Sequence, residues 1–218
     1  MSLSWLTIWA MVIFPPTTLR QIYQHLQAAG IENNTLVIFT SDNGPFWRDD
    51  YEEKYQHSAT GGYKGMKADI WEGGHRVPLI YRWPEKIAAE ADNHHPVTLT
   101  TFMATFAEML QVPFDYASAR DSQSSWPLLK GQEVDTLQPI IHHSSRGMFA
   151  IRSSDWKLIE GLGSGGFSKP TLIEPKGDMP AGQLYNLRND PHEQENLYLR
   201  HPEIVEQLTA KLDEIRNN

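Results

Sequence analysis

Apolar positions along the chain change period several times, and each change marks an element. Leu19, Ile22, Tyr23 and Leu26 recur at helical spacing, with Gly30 as the stop. Thr18 followed by Gln21 has the spacing of a capping box and predicts the start of that helix. Residues 36–40, Leu-Val-Ile-Phe-Thr, form a β-branched and aromatic run that reads as a buried strand, closed by Asp42-Asn43-Gly44-Pro45. Helix followed by strand predicts part of an α/β sheet with parallel strands. Residues 49–65 read as a long polar loop, and residues 77–82 as a strand closed by Trp83-Pro84. A second helix is expected over residues 98–111, with Leu99, Phe102, Met103, Phe106 and Leu110 on one face; residues 114–131 read as irregular.

Beyond residue 135 the pattern shortens. Residues 139–143, 147–152, 156–160 and 183–187 are strand candidates, with Ser153-Ser154-Asp155 as a hairpin turn. Residues 161–182, rich in Gly, Pro and Ser, read as a mobile loop. Asn189-Asp190-Pro191 turns the chain into a last amphipathic helix over residues 202–216, its apolar side built from Ile204, Val205, Leu208, Leu212 and Ile215. Strands covered by one helix suggest a small α+β unit. The expected division is therefore residues 1–134 and residues 135–218, with no internal repeat. Residues 3–14 are an apolar run without charge, shorter than the ~20 residues of a membrane span and lacking the leader and cleavage pattern of a secretory signal. They are expected to pack on the core.

Composition narrows the function classes. In 218 residues, 19 Lys and Arg face 27 Asp and Glu, a formal charge of −8. Such a chain is a poor general binder of nucleic acid, whose phosphates need clustered cations. With 40% hydrophobic residues it is globular rather than disordered. It has no cysteine, which removes disulfides, thiolate metal sites and a cysteine nucleophile.

Two stretches could carry chemistry. Asp42 and Asn43 follow the first strand directly, and together offer two hard oxygen ligands of the kind Ca²⁺ or Mg²⁺ prefers; on composition alone an Asx turn that simply ends the strand is the favoured reading, because Asp-Asn-Gly is common turn chemistry. Residues 67–78, Lys-Ala-Asp-Ile-Trp-Glu-Gly-Gly-His-Arg-Val-Pro, place cations beside paired glycines, where an oxyanion could be held and the backbone could approach closely. The alternative is a solvated loop with Glu72 and Arg76 as a structural ion pair.

These stretches, in this order, resemble the sulfatase (arylsulfatase) family. The likeness extends through residues 150–159, through Gln183-Leu184-Tyr185-Asn186-Leu187, and through Asp190-Pro191-His192-Glu193 with Glu195-Asn196-Leu197. It covers most of the chain from about Thr18 onward. It implies an α/β fold: the C-terminal part of an alkaline-phosphatase-like sulfatase domain plus a small α+β subdomain with an antiparallel sheet and one helix. It further implies that Asp42 and Asn43 match two Ca²⁺ ligands. Lys67 matches the lysine that contacts the substrate sulfate, lying five positions before Glu72, with Lys64 second on spacing. His57 lies in the intervening loop, where it can reach the site or stand as a surface histidine. Sulfate ester hydrolysis, Ca²⁺ as cofactor, no nucleic acid or membrane partner, and export by analogy all follow from the resemblance. A phosphonate or phosphodiester hydrolase of the same superfamily and a non-catalytic interaction module are the alternatives.

One part of the family pattern does not occur in these residues. The family's Cys-x-Pro-Ser-Arg or Ser-x-Pro-Ser-Arg motif supplies the formylglycine whose hydrate attacks sulfur, yet no Pro-Ser-Arg is present; Ser144-Ser145-Arg146 lacks the proline. Asp49-Asp50 follows the Asp-Asn pair instead of preceding it, so it does not match the family's upstream aspartates. The expectation is a C-terminal fragment without turnover of its own, with apolar surface open to self-association.

Overall fold

A computed structural model describes residues 16–134 and 138–217. Residues 3–14, expected to pack on the core, lie outside them. The helices are α1 (Pro16–Ala28), α2 (Asp49–Tyr55), α3 (Glu72–His75), α4 (Phe102–Leu110), α5 (Trp126–Leu129) and α6 (Pro202–Asn217). The strands are β1 (Val37–Thr40), β2 (Leu79–Arg82), β3 (Ile140–His143), β4 (Phe149–Ser153), β5 (Trp156–Ile159) and β6 (Gln183–Asn186). Among the described residues, no helix is long and apolar enough to cross a membrane. The chain forms two compact units, residues 16–42 with 78–134 and residues 43–77 with 138–217.

In the first unit, α1 is described from Pro16, two residues before the expected capping box, so Thr18 lies within the helix rather than at its cap. Gly30 ends the segment at φ +67°, as its sequence position suggested. β1 pairs antiparallel with β2, Val37 opposite Arg82 and Thr40 opposite Leu79, which corrects the expectation of parallel strands. Parallel pairing needs a crossover laid back on the sheet, but the intervening residues 43–77 pack in the other unit. Nor is β1 fully buried: Val37 is 3% exposed, while Ile38, Phe39 and Thr40 are half-buried. Arg82 bonds Glu32 at 2.9 Å and lies over the Tyr23 ring, tying the strand to α1. The expected second helix appears as a 3-10 turn, Leu99–Thr101, continuing into α4. Ser122 Oγ accepts from Ala104 N at 3.0 Å, satisfying a donor of the first turn of α4.

The second unit is a four-stranded antiparallel meander, β3-β4-β5-β6. Its period of two decides everything that follows. Ile151, Leu158 and Leu184 stand opposite one another across three strands and pack with Leu208 and Leu212 of α6. Arg152, Lys157 and Tyr185 share the next register row, and therefore face the other way. That opposite face is covered by the segment carrying Ile70, Trp71 and Glu72. A sheet expected to carry one helix is thus covered on both sides.

Two loop expectations change. Residues 49–65 contain α2, with an acidic first turn that complements the helix dipole. The first half of residues 161–182 is bonded down: Ser164 O accepts from Ile70 N at 2.8 Å, and Gln183 Nε2 donates to the carbonyls of Gly161 and Gly163, each at 3.0 Å. Glycine and serine there permit close approach to neighbouring main chain, and so do not signal mobility.

Candidate functional site

The 64–75 segment is shaped from beneath by buried charge. Lys157, fully buried, lies 3.0 Å from Glu72 Oε1 and 2.8 Å from Glu193 Oε1. Glu193 Oε2 accepts from Glu72 N at 2.6 Å, and Arg152 lies 3.6 Å from Glu72 Oε2. Burial works against the Glu72 carboxylate, but Lys157 and Arg152 outweigh it and hold it below the usual range. At Glu193, which shares the same lysine, burial wins and pushes the carboxyl up. Glu72 therefore belongs to a buried network rather than a solvated pair with Arg76, whose guanidinium lies 4.4 Å from the Tyr63 ring centre.

Asp69 performs a second fastening. Its Oδ1 accepts from Phe167 N at 2.7 Å and Ser168 N at 3.0 Å, and its Oδ2 from Met66 N at 2.9 Å and from Ser168 Oγ. A buried carboxylate thus has its acceptors engaged by the 164–168 loop and its own turn. On the other side, Lys67 N donates to Pro45 O at 2.8 Å and Gly44 N to Gly74 O at 2.9 Å. The backbone bearing Lys67 is held by both neighbouring loops.

The two lysines weighed from sequence separate clearly. Lys64 is half-buried, its ammonium 3.0 Å from Glu193 O, 3.4 Å from Tyr185 Oη and 4.3 Å from the Trp71 ring centre. Burial lowers its pKa. Its partners are internal and structural. Lys67 sits at the clamped turn between Gly65 and Asp69, half-buried. His57 is exposed and sets its ring edge-on to Trp47, centroids 5.6 Å apart, and its carbonyl accepts from Trp47 Nε1 at 2.9 Å.

Asp42 is exposed, with Oδ1 3.5 Å from Ser41 Oγ; Asn43 is half-buried and donates through Nδ2 to Gly44 O at 2.9 Å. Both present the hard oxygen chemistry Ca²⁺ takes, and they fit it as part of a shell of about six to eight donors. Among the described residues no group of three or more His, Asp or Glu side chains is placed to hold a metal ion.

Sequence reading assigned no role to Lys157, Asp69 or the pair His75 and His142, whose ring centroids lie 4.2 Å apart. Lys157 carried a signal in hindsight: a lysine alternating with apolar residues inside a strand either faces water or meets a buried acid. Burial, with the Lys157 charge adding to it, pushes His75 down to about 4, Glu72 opposing; His142 is held well below its ordinary value mainly by burial, with Lys157, His75 and Arg152 adding. His143 also repels a proton on His75. Between pH 6.5 and about 4 the unfolded chain holds protons at His75 that the folded chain does not, so stability falls as pH falls through that window. The loss from His75 is on the order of 2–3 kcal/mol. Urea unfolding at pH 7.0 and 4.5 should show it, and His75→Gln should flatten the slope; a variant with the parent slope contradicts the assignment.

Comparison with known proteins gives the family. The sulfatase family model matches residues 17–112, and the model for the C-terminal region of N-sulphoglucosamine sulphohydrolase matches residues 66–218. An N-acetylgalactosamine-6-O-sulfatase of Bacteroides thetaiotaomicron is 31% identical, over 91% of this chain and 40% of its own length. Human steryl-sulfatase is 33% identical over 63% of this chain and 25% of its own length. A solved structure from work on the metabolism of multiple glycosaminoglycans by Bacteroides thetaiotaomicron superposes with TM-score 0.79 at 30% identity, covering 93% of this chain and 43% of that one. The fold is that of the alkaline-phosphatase-like sulfatases, and the chain spans about two fifths of the length of its first relative. The chain belongs to the sulfatase family and corresponds to a C-terminal portion of it.

Proposed function

We propose that this chain is the sulfate-recognising C-terminal portion of a sulfuric ester hydrolase, with Lys67 as the cation that meets a sulfate oxygen. The observation carrying this reading is the fastening of the main chain at Lys67: its own N–H donates to Pro45 O, and the neighbouring Met66 N–H donates to the Asp69 carboxylate. A cation on a fixed backbone is preorganised for an anion, which is how positive charge contributes to transition-state stabilisation. Asp42 and Asn43 would hold Ca²⁺ together with ligands from the remainder of a whole sulfatase. When bound, that ion would neutralise charge on the sulfate oxygens. The substrate is a sulfate ester on a sugar, supported by the named activity of the relative that matches most of this chain. The 218 residues carry no formylglycine motif, so by themselves they bind without turning over. Half-buried β1 and the exposed Ile80 and Met103 in the first unit support self-association through apolar surface.

Titration of the chain with inorganic sulfate at constant ionic strength, followed by NMR, tests the lysine. Lys67→Ala should weaken binding by about tenfold or more. Lys64→Met should lower the melting temperature and leave sulfate affinity within about twofold. Equal affinity for Lys67→Ala and the parent contradicts the reading.

A further inference from the structure

Each loop fastened to the Lys67 turn carries an exposed phenylalanine. Phe46 follows Pro45, whose carbonyl accepts from Lys67 N; Phe167 donates its own N–H to Asp69 Oδ1. The rings meet edge to face, centroids 5.9 Å apart and planes at 83°. Both remain open to water, Phe46 at 48% and Phe167 at 53% exposure. Single exposed apolar side chains need no explanation. Here, however, two rings distant in sequence converge at the turn that bears the proposed sulfate contact. Gly166, whose place could not admit a Cβ against Ala68 O and Asp69 Oδ1, lets the second loop come this close.

We propose that Phe46 and Phe167 form an aromatic edge that takes the apolar C–H face of a sulfated pyranose, setting ring specificity beside Lys67. This rests on the reading of Lys67 as the sulfate contact. Charge favours a sulfated sugar over a large neutral apolar ring. Of the three cations in residues 64–69 and 164–169, Lys64 is directed to Glu193 O, while Lys67 and Lys169 add positive charge. Asp69, the one carboxylate there, is bonded to main-chain N–H groups and Ser168, and beside Phe46 the Arg48 and Asp50 charges pair with each other, leaving Asp49. The edge-to-face pair also leaves a ring face and a ring edge for a ligand whose own faces are hydrogen-rich and whose rim is polar.

The test uses the full chain with N-acetyl-D-galactosamine 6-sulfate and inorganic sulfate as probes, read by saturation-transfer NMR and chemical-shift titration. Phe46→Ala and Phe167→Ala should each weaken sugar-sulfate binding about five- to tenfold, leave inorganic sulfate unchanged, and keep the parent melting temperature because both rings are exposed. Phe167→Tyr should retain the sugar affinity. Sugar-sulfate affinity unchanged in both alanine variants, or no detectable sugar-sulfate binding by the parent chain, overturns the aromatic edge. Phenylalanine-dependent sugar binding that survives Lys67→Ala retains the edge and overturns the lysine reading instead.

Discussion

Lys157→Met should destabilise the second unit by about 3–5 kcal/mol, because it leaves two buried carboxylates without their cation. Glu72 and Glu193 lie 3.0 Å and 2.8 Å from the Lys157 ammonium, and neither side chain has open access to water. The loss should appear as a melting temperature lower by about 10 °C and as a reduced urea midpoint with an unchanged slope. Glu193→Gln should cost less than Glu72→Gln, since burial already pushes the Glu193 carboxyl up while Glu72 is held in its charged form by Lys157 and Arg152. Removing all three charges together, Lys157→Met with Glu72→Gln and Glu193→Gln, should recover much of the stability lost by the lysine substitution alone. A Lys157→Met chain within about 1 kcal/mol of the parent would contradict the network.

Gly73→Ala should cost about 3 kcal/mol or more, the upper range for an overpacked site, because the new methyl group meets only backbone. A Cβ there would fall on the carbonyl oxygens of Gly65, Lys64 and Tyr63, and Gly73 N already donates to Lys64 O at 2.8 Å. None of those atoms can move aside without opening the turn that carries Lys67. Gly30→Ala is the control: its surroundings are open and only its positive φ is disturbed, so about 1 kcal/mol is expected. Circular dichroism melts of the two variants distinguish the cases, and equal costs would contradict the close approach.

Much of this architecture was legible in the sequence, for reasons that can be named. The C-terminal strands and α6 followed from the alternation of Ile151, Leu158 and Leu184 and from the helical spacing of Leu208 and Leu212, since local period and burial agree there. The paired glycines before His75 announced a close backbone approach, which the structure contains. Strand direction was not legible, because the partner of β1 depends on where residues 43–77 go. The role of Lys157 was hidden for a related reason: one buried cation is read correctly only when both acids, far apart in sequence, are seen around it. Ranking Lys67 above Lys64 rested on spacing toward Glu72 alone; the inward partners of Lys64, Glu193 and Tyr185, lie more than a hundred residues away and could not be read locally. The first half of the glycine-rich 161–182 segment misled because glycine signals either freedom or tight approach, and the bonds from Ile70, Gln183 and Asp69 that decide between them come from elsewhere in the sequence.

In these 218 residues, recognition of sulfate should be separable from its hydrolysis. Purified chain incubated with 4-nitrophenyl sulfate and with N-acetyl-D-galactosamine 6-sulfate, in the presence of Ca²⁺, measures it directly. Sulfate release should be no faster than in buffer. Release that scales with the amount of chain, and that survives removal of contaminating enzyme, would contradict it.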